Sequence, residues 1–436
     1  LKHSNKSFTY EDALDFIHGA LKLGSKLGLS NIRELLQRLD RPQDKVQCIH
    51  IAGTNGKGTV TTSLAAVLSA AGYRVGAYTS PYVFRFNERI QIDGEEIADD
   101  SLTRNTLRVK ETCAAMVAEG LPHPTEFEIV TAVGFLCFAE EKCDYVVLEV
   151  GLGGRLDATN VIENPLCTAI TSIGFDHMQY LGNSLSEIAA EKCGILKEGV
   201  PAVVYGQQPE EALAVIRAAC AEKKATMRMA DVPKIREAGY RGSIFSAGGY
   251  HDLFLPLAGE HMAKNACVTL EIIRVLREKG ISVPDEAIYE GFRSVRHRGR
   301  LETVAEDPLF ILDGAHNLDG IDALCRAVDG MFGGKKIVLI AGMLADKEYG
   351  KAMEKTGGLS EKLITVTVPS PRALSAEKLA ETAMPYHQNV TAAPSIPAAV
   401  AAAYAEKPDV ILAFGSLYML GEVYEAVQAF QKDKKR

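Results

Sequence analysis

Short continuous apolar runs alternate with longer amphipathic runs along most of this chain. Residues 46–52 (VQCIHIA), 144–150 (DYVVLEV) and 167–173 (CTAITSI) read as strands buried on both faces, because they lack the polar alternation of a one-sided strand. Residues 59–71 read as a helix that stops at Gly72. A second series begins near Leu309, with strands expected at 309–312, 336–341, 363–368 and 410–414. Helical patterns lie between them at about 318–331, 375–384 and 395–406. Strand–helix alternation of this kind predicts parallel α/β sheets.

A different texture separates the two series. Residues 226–258 carry short alternating runs with the turn signals GYRG and AGGY, which predict a small antiparallel sheet. A helix is expected over 260–279. The basic segment 292–300 (FRSVRHRGR) is either a hinge or a solvated linker with incidental charge. Read as a hinge, it divides the chain into domains at 1–295 and 296–436. No repeat at solenoid periods and no low-complexity tract interrupts the pattern.

Composition narrows the class of protein. A length of 436 residues fits two or three domains, and 47% hydrophobic with 24% charged residues is globular. Disorder, collagen and coiled coil are thereby excluded as global descriptions. Forty-eight Lys+Arg against 56 Asp+Glu leave a net charge of −8. That balance argues against a nucleic-acid partner, although a local site for a small anion remains open. The nine cysteines form no CxxC pair and read as buried, reduced thiols of a cytoplasmic protein. The first residues show no apolar signal core, and no run approaches the roughly 18 apolar residues of a membrane span. The final QKDKKR reads as a solvated helix end.

The strongest local motif is Gly53-Thr-Asn-Gly-Lys-Gly-Thr59, which follows a buried strand and opens a helix. Glycines let backbone N–H groups approach a phosphate, the helix N-terminus adds partial positive charge, and Lys57 adds a full one. Thr59 offers a hydroxyl to Mg²⁺. The spacing departs from GxxxxGK[ST], because Gly58 separates Lys57 from Thr59. A nucleotide loop calls for a divalent ion, and Mg²⁺ prefers oxygen ligands. Glu149 ends a strand in LEVGLGG, where open α/β sheets bind their ligands. It reads as a metal ligand or as a carboxylate capping nearby amides. His177 reads equally as a ligand or a satisfied core histidine. Lys192 reads by default as a surface lysine, and Ser80 as a turn residue before Pro81.

Taken in order, these segments resemble the Mur ligase superfamily, and within it the folylpolyglutamate synthases and their bifunctional dihydrofolate synthase form. GTNGKGT at 53–59 is similar to the family's phosphate loop, and TSPYVFRFNERI at 79–90 resembles its SPH…NERI segment. TEFE at 125–128, LEVGLGGRLDATN at 148–160, FDHMQYLG at 175–182 and EKCGI at 191–195 follow in the family's order. HMAKNA at 261–266, GRLE at 299–302, LDGAHN at 312–317 and GSLY at 415–418 complete the series. Tyr82 stands where the family usually has His, Arg298 where it has Pro, and Cys193 where it often has Ala. TEFE equally fits a capping box between Thr125 and Glu128.

The resemblance implies an N-terminal P-loop NTPase-like parallel-sheet domain with a small antiparallel sheet, and a C-terminal Rossmann-like α/β domain. It implies an ATP-dependent ligase that adds L-glutamate to tetrahydrofolate, and also to dihydropteroate, through an acyl phosphate formed in a cleft that excludes water. Asn55, Gly56, Lys57, Gly58 and Thr59 would cradle ATP, with Asn265, Arg300 and Asp313 as further ATP contacts. Ser80, Glu149 and His177 match the family's Mg²⁺ ligands, with Thr59 beside them, and two Mg²⁺ ions are implied, with K⁺ as an optional further ion. Lys192 matches a lysine that the family carbamylates, and Lys57, Glu149, His177 and Lys192 form the implied catalytic set. Arg89 would lie on the folate side and His316 near the incoming glutamate. The family also implies a monomer without a membrane partner. The alternatives are a form with one of the two activities and another Mur-type amino-acid ligase. The latter usually carries an additional N-terminal domain, for which a loop starting at Gly53 leaves no room.

Overall fold

The computed structural model describes residues 8–20 and 28–434. The chain divides into two compact units. The first comprises the described residues up to Ile173, with His177–Val232 and Asn265–Phe292. The second comprises Gly174–Asp176, Pro233–Lys264 and the residues from Arg293 onward.

The first unit is built on eight strands: β1 (Gln47–Ala52), β2 (Val75–Tyr78), β3 (Ile90–Ile92), β4 (Glu95–Glu96), β5 (Tyr145–Glu149), β6 (Cys167–Ile170), β7 (Ala202–Val204) and β8 (Met227–Met229). Their order is β4-β3-β2-β5-β1-β6-β7-β8. Pairs from β2 across to β8 are parallel, while β3 and β4 add an antiparallel edge. Every residue of β2, β6 and β7 is buried, which is why these strands read as unbroken apolar runs. One face packs on helices Tyr10–Gly19, Ser30–Arg38, Asp99–Ala118 and Glu126–Glu140, through Ile17, Leu35, Val109, Val133 and Leu148. The other packs on Leu185–Cys193 and Glu210–Glu222, through Ile170, Ile188, Val204 and Ile216.

The second unit contains the antiparallel sheet β9 (Lys234–Gly239), β10 (Gly242–Ala247) and β11 (Tyr250–Leu255), ordered β11-β10-β9. Strand β10 alternates buried and half-buried positions, as a one-sided strand should. Met227–Met229, the start of the span read as antiparallel, instead extends the large sheet as β8, parallel to β7. Three residues show too little alternation to decide between the two.

Six further strands form the second unit's larger sheet: β12 (Glu302–Glu306), β13 (Leu309–Leu312), β14 (Ile337–Ala341), β15 (Lys362–Thr365), β16 (Val390–Ala392) and β17 (Val410–Phe414). Their order is β12-β13-β17-β14-β15-β16, parallel except for the β12–β13 hairpin. Helices Leu318–Phe332, Tyr349–Thr356, Ala376–Ala383 and Ile396–Ala405 alternate with these strands. The mixed α/β architecture, with a parallel-dominated sheet in each unit, matches the fold class expected from the sequence. In the basic segment at 292–300, the helix Asp285–Ser294 runs through the first residues and buries Phe292.

Eight of the nine cysteines are buried, Cys325 is half-buried, and none forms a disulfide. Among the described residues no helix is long and apolar enough to cross a membrane. The helix Leu420–Lys434 includes the start of QKDKKR; its last two residues lie outside the described ones.

Candidate active site

The glycine-rich loop leaves β1 at its C-terminal end and enters the helix Lys57–Ala70. The Thr54 and Asn55 amides donate to the Ser172 carbonyl just beyond β6, at 2.8 and 3.3 Å, which ties the loop to the neighbouring strand. Gly56 caps the helix at φ +90°, and a Cβ there would lie 2.4 Å from Asn265 Oδ1. The loop and Asn265, far apart in sequence, are thus brought together. Lys57 folds back onto the loop, its Nζ donating to the carbonyls of Gly53 and Thr54 at 3.1 and 3.2 Å. Thr59 is buried in the first helical turn.

Strand register places a carboxylate beside this loop. Ile51 of β1 pairs with Glu149 of β5, so the glutamate ends its strand two residues below Gly53. Glu149 is 4% exposed, and its Oε2 accepts the Ser80 amide at 3.2 Å. Glu88 builds the loop that carries Ser80 by accepting the amides of Val83, Phe84 and Arg85, each at 2.8 Å. His177 stands at φ +50° and caps the helix Met178–Leu181. Among the described residues, no three His, Cys, Asp or Glu side chains form a metal-holding group. Of the candidate ligands named from the sequence, Glu149, Ser80 and Thr59 offer oxygen, the donor type that Mg²⁺ prefers and a thiolate-seeking metal does not.

Lys192 corrects its default reading. It is 4% exposed, in the last turn of the helix Leu185–Cys193, and its Nζ donates to the Gly53 carbonyl at 2.8 Å. The side chain is therefore buried against the glycine-rich loop and not solvated.

Part of LDATN turns out to be a brace. Asp157 accepts the Leu152 amide at 2.8 Å and the Thr159 amide at 3.0 Å, and Thr159 Oγ1 also donates to it. Thr159 Oγ1 in turn bonds His50 Nε2 at 2.8 Å. Burial raises the Asp157 pKa and pushes that of His50 down to about 3, so His50 is neutral. Asn160 spans the Arg155 and Gly194 carbonyls and accepts from Lys197. These residues hold the turn that follows Glu149. The one sequence signal for His50 was a lone polar residue in an apolar strand.

TEFE likewise starts a helix. Thr125 Oγ1 accepts the Glu128 amide and Glu128 Oε2 accepts the Thr125 amide, a complete capping box. Arg89 lies beside it, with side chain 11% exposed and Nη1 3.9 Å from Glu126 Oε1.

In the second unit Asp313 is buried and accepts the Leu301 and Ala315 amides at 2.9 and 2.8 Å. Burial raises its pKa, and the Arg300 charge opposes that rise. His316 Nδ1 donates to the Gly314 carbonyl at 2.8 Å, which leaves Nε2 3.5 Å from Asp176 Oδ2. The same carboxylate pairs with Lys347 Nζ and accepts from Asn317 Nδ2 at 3.0 Å. Lys347 and Asp176 are 10% and 11% exposed. Sequence reading missed Lys347, which follows β14 without a motif of its own.

Comparison with known proteins gives this arrangement its lineage. Residues 51–273 match the Mur ligase middle domain and residues 299–417 the Mur ligase glutamate ligase domain. A dihydrofolate synthase/folylpolyglutamate synthase of Bacillus subtilis is 38% identical, over 95% of this chain and 98% of the relative. The crystal structure of a folylpolyglutamate synthase from Thermotoga maritima superposes with a TM-score of 0.84 at 34% identity, covering 97% of each chain. A Mycobacterium tuberculosis folylpolyglutamate synthase, complexed with ADP and AMPPCP, gives 0.87 at 30% identity, covering 97% and 98%. The chain belongs to the Mur ligase family, among the folylpolyglutamate and dihydrofolate synthases, and is an ATP-dependent ligase.

Proposed function

We propose that this ligase joins L-glutamate to the γ-carboxylate of a tetrahydrofolate glutamate, and also to the carboxylate of dihydropteroate, while ATP is split to ADP and phosphate. The observation that carries the reading is the register of β1 with β5, which sets Glu149 beside a lysine-bearing phosphate loop. A carboxylate is a poor acyl donor, because oxide is a poor leaving group. Attack of its oxygen on the γ-phosphorus forms an acyl phosphate and releases ADP. The glutamate amine then attacks the acyl carbon, phosphate departs, and the amine gives up its proton.

Two anions must meet in the first step, so charge has to be offset. Lys57, now held on the loop carbonyls, would turn to the phosphates, and the helix N-terminus behind Gly56 would add to its charge. Mg²⁺, as two ions, would be held by Ser80, Thr59, Glu149 and His177, and would supply charge neutralisation at the phosphates; K⁺ is a further candidate ion. Carbamylation of Lys192 would replace a cation on Gly53 with an anionic oxygen ligand. Asn265, Arg300 and Asp313 are assigned to ATP, Arg89 to the folate side and His316 to the glutamate. Residues 1–295 are assigned as the ATP-binding domain and 296–436 as the glutamate-ligase domain, in a cytoplasmic monomer.

Phosphate release tests the whole reading. It should require ATP, L-glutamate and a pteroyl acid together, and labelled glutamate should appear in the acid. Release that needs neither acid nor glutamate would point to a nucleotide switch instead. Supplying dihydropteroate and tetrahydrofolate separately distinguishes two activities from one. Lys192→Ala should lose turnover, and the parent should slow when bicarbonate is removed; a variant as active as the parent would remove the carbamate.

A further inference from the structure

The glycine-rich loop rests on the segment that follows β6, and one side chain grips that segment from the far side. A Cβ at Gly53 would lie 1.8 Å from Thr171 Oγ1, so Thr171 sits close against the loop. The Ser172 carbonyl receives both the Thr54 and the Asn55 amide. Main-chain pairing of β6 with β7 ends at Ile170 and Val204, with the Tyr205 amide on the Ile170 carbonyl at 2.9 Å. Beyond that rung Gln208 continues the ladder with its side chain. Its Nε2 donates to the Thr171 carbonyl at 2.6 Å, and its Oε1 accepts the Ile173 amide at 3.0 Å. These atoms belong to the two peptide groups that flank Ser172. The second peptide carries the Ser172 carbonyl itself, so Gln208 holds one end of a peptide whose other end holds the loop. Hydrogen bonds at both ends of one peptide strengthen each other. Gln208 is half-buried, and the proline after it, which caps the helix Glu210–Glu222, disfavours a helical backbone there.

We propose that Gln208 is a positioning residue for the nucleotide: its amide fixes the Ser172 peptide, and through that peptide sets the course of the loop from Gly53 to Lys57. The inference rests on the assignment of this loop to the ATP phosphates. Without the amide, the Ile173 N–H and the Thr171 carbonyl lose a partner, and the peptide between Ser172 and Ile173 is free to turn. The Ser172 carbonyl then no longer meets both loop amides. The Gly53 carbonyl, on which Lys57 and Lys192 both donate, shifts with the loop. The loss falls on ATP, and the acid and glutamate are affected only through it.

Two variants separate the amide from its placement. Gln208→Met keeps the length of the side chain and removes both hydrogen bonds. Gln208→Asn keeps the amide but leaves it one methylene short of its partners. Each should raise the KM for ATP about tenfold, the worth of roughly one ordinary hydrogen bond. Each should also shrink the rise in melting temperature that AMPPCP gives. The KM values for tetrahydrofolate and L-glutamate should stay at parent values. Gln207→Met, at the exposed neighbouring position, should match the parent throughout. An unchanged KM for ATP in both Gln208 variants overturns the inference, and so does an equal rise in Gln207→Met. A common rise in all three KM values, with a lower melting temperature of the nucleotide-free protein, would mark a merely structural role and overturns it too. Lys57→Ala tests the assignment beneath. If that variant keeps the parent KM for ATP, the loop does not hold the nucleotide and the inference falls with it. If Lys57→Ala raises the KM and the Gln208 variants do not, the inference alone falls.

Discussion

Single residues show how position decides chemistry. Gly56 and Gly72 share nearly the same backbone, φ +90° and +91°. A Cβ at Gly72 meets nothing within 4 Å, whereas one at Gly56 strikes Asn265. Gly72→Ala should therefore cost about 1 kcal/mol of left-handed strain and leave turnover intact. Gly56→Ala should carry the same strain and also abolish nucleotide binding, read as loss of stabilisation by AMPPCP. His50 gives a titration that can be isolated. Its pKa falls from the ordinary 6.5 to about 3 through burial, with Lys197 adding to the shift. The unfolded chain binds a proton on His50 below the ordinary value, and the folded chain does not, so acid favours unfolding across that window. Each pH unit inside it is worth about 1.4 kcal/mol. The stability lead of the parent over His50→Gln should shrink by about 2 kcal/mol from about pH 7 to about pH 5 in urea titrations.

At the level of elements, motif residues split into those that start structure and those that face chemistry. In NERI, Asn87 donates to the Ile97 carbonyl and to Asp99, and Glu88 gathers three amides, while Arg89 alone keeps its donors unspent. In TEFE, Thr125 and Glu128 cap a helix whose interior positions are almost all buried. Thr125→Ala should cost about 1 kcal/mol of stability by denaturant titration. Glu128→Gln should cost less, because an amide oxygen still accepts from Thr125. The strands were legible because an apolar run is a local property. The edges were not: β8 is only three residues long, and nothing local says which sheet it joins.

At the scale of the whole molecule, the sheets explain how motifs far apart in sequence come to lie on one unit. Two units each carry a parallel-dominated sheet, and the glycine-rich loop and the candidate oxygen ligands Ser80, Glu149 and Thr59 belong to the first. No described cluster of acidic, His or Cys side chains would hold a structural metal. A chelator should therefore stop turnover while leaving the circular dichroism and the melting temperature of the nucleotide-free protein unchanged. Arg300→Ala should raise the KM for ATP and lower kcat, since its cation already interacts with buried Asp313 in the second unit. Kinetics equal to the parent would remove Arg300 from the ATP contacts.

Some of this protein was determined by sequence alone. The apolar strands, the loop from Gly53 to Thr59 and the family to which the motifs belong all depend on residues close together in the chain, where spacing carries the physics. Burial and pairing of charges were decided only in three dimensions. Lys192 reads as solvent-facing until a partner 139 residues away receives it on the Gly53 carbonyl. Lys347 carries no signal until Asp176 is placed against it, 171 residues distant. Glu126 looks like a spacer between a cap and a phenylalanine until Arg89 lies at its side. Polar and ionic partners of this kind are brought together by strand register and helix packing, and the energy of a buried charge depends on partners that local sequence does not name.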